Sequence, residues 1–139
     1  MTRPVGPVRD ERGQSVSLFV LLVMGALVLV AGLVIDGGQK VHAAGLAESA
    51  AAGASRAAGN AAATEQLGGA NPAGAAVLAA KAYLAGQPSV TGTVSLQEGV
   101  VAVQTSSTAP TLFLAVIGID TVTGTGSAEA DIVATGQTR

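Results

Sequence analysis

The sequence predicts an α+β fold in which one long N-terminal helix, apolar in its first part and alanine-rich in its second, carries a second helix and a small antiparallel sheet of about three strands. Three observations predict it: an uncharged apolar run over residues 16–35, an alanine-dominated stretch over 39–67, and alternation of small or apolar residues with hydroxyl residues towards the C-terminus. They divide the chain into a short segment 1–15, an apolar helix 16–35 and a domain 36–139.

The apolar run reads VSLFVLLVMGALVLVAGLVI, twenty residues with no charge and Ser17 as the one hydroxyl. A helix of that length rises about 30 Å, close to the hydrocarbon thickness of a bilayer. Fourteen of the twenty are Leu, Ile, Val or Phe, which favours insertion by roughly 4 to 8 kcal/mol. A cleaved signal peptide has a shorter apolar stretch, of about 7 to 15 residues, and the nearest small-residue cleavage pattern here, Val41-His42-Ala43, lies beyond Asp36 and Lys40. Arg3, Arg9 and Arg12 precede the run, whereas only Lys40 and Arg56 follow it closely. The positive-inside rule then puts residues 1–15 in the cytoplasm and 36–139 outside it, on a single-pass plasma-membrane protein.

Asp36-Gly37-Gly38 follows the run and is expected to act as a hinge before a second long helix over 39–67, where Ala, the best helix former, dominates. Gly25 and Gly32 in the first helix, and Gly45, Ser49, Gly53 and Ala57 in the second, share spacings that set small residues along one side, where a neighbouring backbone can approach. These six are the candidate helix-packing positions.

Gly68-Gly69-Ala70 breaks the pattern, and Asn71 before Pro72 pairs an N-cap with a first-turn proline for a helix to about Leu84, ended by Gly86-Gln87-Pro88. Val90, Val94 and Leu96 alternate with Thr and Ser, Gln97-Glu98-Gly99 supplies a turn, and residues 100–105 return, which predicts a β-hairpin. The apolar segment TLFLAVIGI after Pro110 fits a short helix, a buried strand or a membrane-touching loop, and a short helix packed on the sheet is the expectation. In the last strand Val122, Gly124, Gly126, Ala128, Ala130 and Ile132 form one face, suited to close contact with the alanine-rich helix, and Thr121, Thr123, Thr125, Ser127, Glu129 and Asp131 form the other.

Composition narrows the function. Aromatic residues make up 2% of the chain, so its core must rest on Ala, Val, Leu and Gly and is thin enough that partner chains would help it. A formal net charge of −2 with no basic cluster beyond the N-terminus argues against a nucleic-acid partner. Without cysteine and with His42 the one histidine, thiolate and histidine-rich metal sites are excluded, and no cofactor is expected. His42 reads as a solvated residue at the helix exit, and Asp120, Glu129 and Asp131 as a solvated face rather than a cation site, because no calcium-loop spacing is present. No nucleophile-elbow, P-loop or dinucleotide pattern occurs, so neither an enzyme nor a small-molecule substrate is expected.

Taken in order, Arg12-Gly13 ahead of the apolar helix, Val34-Ile35-Asp36-Gly37-Gly38-Gln39-Lys40 at its exit, the stretch ESAAAGASRAAG, Ala82-Tyr83-Leu84, and Pro110-Thr111-Leu112-Phe113-Leu114 leading to Gly118-Ile119 carry a resemblance. With the final Thr/Val/Ala strand, they make the chain resemble the TadE/TadG-like proteins of the tight-adherence (Tad, or Flp) pilus assembly system, in their actinobacterial form. The resemblance implies a minor pilin-like or accessory structural subunit in a bacterial plasma membrane, with the lipid bilayer and other pilus-assembly membrane proteins or pilin-like subunits as partners. It also marks Gly13 as the position before a prepilin-peptidase cut, although Leu18 stands where processed relatives carry a glutamate. The rival expectation is a secreted binding module released by signal peptidase after Ala43.

Overall fold

In a computed structural model, residues 11–132 are described, with side chains from residue 15 onward. The expected α+β architecture is present: helix α1 (Glu11–Gly68), helix α2 (Pro72–Ala85), strands β1 (Val90–Gln97) and β2 (Val100–Pro110), a short 3₁₀ turn (Leu114–Ile117), and strand β3 (Thr121–Asp131). The sheet order is β1-β2-β3, both pairings antiparallel.

Helix α1 is one uninterrupted element of 58 residues, about 87 Å at the standard rise. The expected hinge at Asp36-Gly37-Gly38 is therefore absent, and the stretch 39–67 continues the apolar helix instead of forming a second one. Two helical glycines cost about 2 kcal/mol relative to alanine. The many turns on either side, and a bond from Asp36 to a distant loop, outweigh that cost.

The two ends of α1 differ in what surrounds them. From residue 15 to 31 every side chain is exposed, whereas Ala43, Ala47, Ala50, Ala51, Ala54, Ala58 and Ala62 are buried against α2 and the sheet. Helix α2 starts as its sequence indicates: the Asn71 side chain accepts the Gly74 backbone N–H at 3.1 Å, and Pro72 opens the first turn. It lays Ala76, Ala80 and Leu84 into the core.

The hairpin turns at Glu98 and Gly99, both with positive φ (50° and 83°), a two-residue turn whose twist matches that of the strands it joins. Strand β2 runs on to Pro110, beyond the expected end at residue 105, because Thr105 and Ser107 turn inward and are satisfied there. Thr105 Oγ1 donates to the Ala47 carbonyl of α1 at 2.7 Å, and Ser107 Oγ to the Ser89 carbonyl at 2.9 Å. Val101 and Val103 on the same face are the largest fully buried apolar side chains, so the core is as thin as the composition implies.

Strand β3 lies directly on α1. A Cβ on Gly124 would collide with the backbone of Ala43 and Ala44, and one on Gly126 with that of Ala47 and Glu48. Ser55 Oγ donates to the Glu129 carbonyl at 2.7 Å and Gln66 Nε2 to the Ile132 carbonyl, so β3 and α1 advance in the same direction. That direction leaves the β2–β3 connection, residues 111–120, at the end of the domain nearest the bare half of α1.

Candidate functional site

The junction between the bare and covered halves of α1 is where the molecule brings distant residues together. Between residues 15 and 42, Gly32 and Asp36 are the two buried positions, one helical turn apart on one face. Asp36 is 1% exposed. Its Oδ1 accepts the Leu112 N–H at 2.8 Å, and its Oδ2 accepts the N–H groups of Phe113 at 3.0 Å and Leu114 at 2.6 Å.

Three consecutive backbone donors thus converge on one carboxylate, ahead of the 3₁₀ turn whose first N–H groups have no partner within the turn. The Leu112 N–H is the largest influence holding the Asp36 carboxyl below its ordinary pKa; desolvation opposes it, and the Leu114 and Phe113 donors add to the lowering. Asp36 is ionised at neutral pH and ties the loop to the helix.

The loop is also closed on itself. Thr111 N–H donates to the Asp120 carbonyl at 2.9 Å, and Thr111 Oγ1 to the Ile119 carbonyl. Gly118, at φ 88°, takes the left-handed conformation that ends the 3₁₀ turn. The Phe113 ring sits on Gly32, where a Cβ would overlap it.

One expectation changes here. The segment after Pro110 is a four-residue 3₁₀ turn set against α1 and not a helix packed on the sheet, because its polar backbone is satisfied by Asp36 rather than by a strand. Its apolar side chains point away from the core: Leu112, Val116, Ile117 and Ile119 are all exposed.

No protein-family model, curated protein or solved structure matches the chain.

Of the candidate packing positions, Gly32 receives Phe113 and Gly53 receives the phenol ring of Tyr83 from α2, while Ala57 is half-buried. Gly25, Gly45 and Ser49 lie exposed, with open space where a Cβ on either glycine would stand. Gly13 falls in the first turn of α1; residues 1–10, with Arg3 and Arg9, lie outside the described residues. His42 is exposed on α1, and Asp120, Glu129 and Asp131 are exposed at or near β3. Among the described residues no three His, Cys, Asp or Glu side chains converge as a metal site would need.

Asp36 was not among the packing candidates. Its signal in the sequence is its place, the first charge after an uncharged run of more than twenty residues, but its partners are some 76 residues away.

Proposed function

We propose that this protein is a membrane-anchored structural subunit, minor pilin-like or accessory, of a Tad/Flp-type pilus assembly system. The first half of α1 spans the plasma membrane with the N-terminus cytoplasmic, and the α2 and sheet domain stands outside. One observation carries the anchor: the large apolar side chains of residues 16–35 are exposed along a helix long and apolar enough to cross a bilayer. So much contiguous apolar surface needs a nonaqueous neighbour.

The junction supports retention of that anchor over release after Ala43. Ala43 is buried in mid-helix under Gly124, and a cut there would remove Gly32 and Asp36, leaving the Leu112, Phe113 and Leu114 N–H groups without their acceptor. The pilus role rests on the family resemblance, together with the bare apolar helix and the small-residue core.

Isolation from native membranes in gentle detergent tests the role. The expected result is co-purification with other pilus-assembly proteins and an intact or Gly13-processed N-terminus. A strictly monomeric protein, in cells that express the system, would overturn the pilus assignment; a mature N-terminus at Ala44 would overturn the anchor.

A further inference from the structure

The loop 111–120 adds an apolar surface to that of the α1 shaft. Val116 is 86% exposed and Ile117 72%, with Leu112 and Ile119 beside them, and residues 111–119 contain no charge. Exposed aliphatic side chains held on a rigid turn call for a neighbour other than water.

Position along α1 identifies that neighbour. Phe113 rests on Gly32, three residues before the end of the apolar run, and Asp36 fastens Leu112, Phe113 and Leu114 one turn further on. At about 1.5 Å per residue, the ring therefore sits some 5 Å inside the end of the run. Apolar faces that lie in a bilayer surface reach about 5–10 Å into the headgroup and acyl boundary. The loop is thus continuous with the bare apolar surface of α1 and set at the same level.

We propose that residues 112–119 form an interfacial membrane contact, in which Leu112, Val116, Ile117 and Ile119 enter the outer acyl boundary of the lipid while Asp36, as a positioning residue, holds their backbone against α1. The bilayer is the occupant because a loop fastened at this height to a spanning helix meets lipid first. This inference rests on the membrane-spanning reading of α1. It adds that the outer domain is seated on the membrane rather than raised above it, with two contacts that fix its tilt.

The chain has no cysteine, so single labels can be placed cleanly. The full-length protein carrying Val116→Cys, Val28→Cys or Leu67→Cys, each with a polarity-sensitive fluorophore, is reconstituted in phosphatidylcholine and phosphatidylglycerol vesicles. Nitroxide-labelled lipids quench from the membrane and iodide from the water. Leu67, 92% exposed at the far end of α1, is the aqueous reference, and Val28, exposed midway along the apolar run, the lipid reference.

The expected result is a blue-shifted Val116 label, quenched most by nitroxides near the headgroup and several-fold less by iodide than the Leu67 label. A Val116 label that matches Leu67 while Val28 is quenched by lipid overturns the contact and leaves the span standing. Protection of Val116 from both quenchers overturns it in favour of a protein neighbour. Lack of lipid quenching at Val28 overturns both the span and the contact.

Discussion

Residues 16–35 and 43–62 of α1 share one helical backbone and treat their side chains in opposite ways. The first stretch exposes Leu, Val, Ile and Phe; the second buries Ala. A water-soluble protein puts its largest apolar groups inside, because burial is worth more for each added methylene. Here helix α1 turns its smallest side chains to the core and leaves its large ones exposed. Close approach replaces bulk inside: Gly124 and Gly126 let β3 touch the helix backbone.

The contrast can be broken most forcefully at its apolar end. Replacing Leu27 and Val28 together by arginine should cost roughly 6–8 kcal/mol of insertion free energy. Fractionation should then find the protein largely lost from the membrane pellet. The same pair of arginines at Ala63 and Leu67, exposed on the covered half, should leave fractionation unchanged.

At the covered end, Gly124→Val forces a side chain into the Ala44 backbone and should destabilise the domain by about 1–3 kcal/mol, read as a lower melting temperature by circular dichroism. Gly45→Ala, on the open side of the same helix, sharpens the comparison with the reverse sign. It meets nothing within 4 Å and should stabilise by about 1 kcal/mol through helix propensity alone.

The most local effect concerns the boundary between the halves. The folded state lowers the Asp36 pKa, so the carboxylate contributes its full stabilisation above the ordinary value of about 3.9 and loses it as pH falls through the lowered folded value. Amide resonances of Leu112, Phe113 and Leu114 should titrate together below pH 3.9, and Asp36→Asn should abolish that inflection.

Much of this was legible because the signals are local. Asn71-Pro72 opens α2, Glu98-Gly99 turns the hairpin, and the alternation ending at Ile132 assigns the inward face of β3. What escaped depends on contacts distant in sequence. The face that α1 buries in its own domain matches the candidate stripe only in part, since on an alanine-rich helix several faces are small: the buried set includes Ala43, Ala47, Gly53, Ala54 and Ala58, not Gly45 and Ser49. Residues 106–108 are all Ser or Thr and lie beyond the expected strand end at 105, yet Ser107 is buried because the Ser89 carbonyl accepts its hydroxyl. Gly37-Gly38 read as a joint because local propensity says nothing of a carboxylate fastened to a loop some 76 residues on.

The unbroken backbone of α1 has a mechanical meaning. A helix that passes Asp36 without a joint carries axial pull and torque from the sheet straight into the apolar shaft, through an uninterrupted ladder of peptide hydrogen bonds. Turning the α2 and sheet domain must turn the shaft with it, so a neighbour that grips either end sets the orientation of the other.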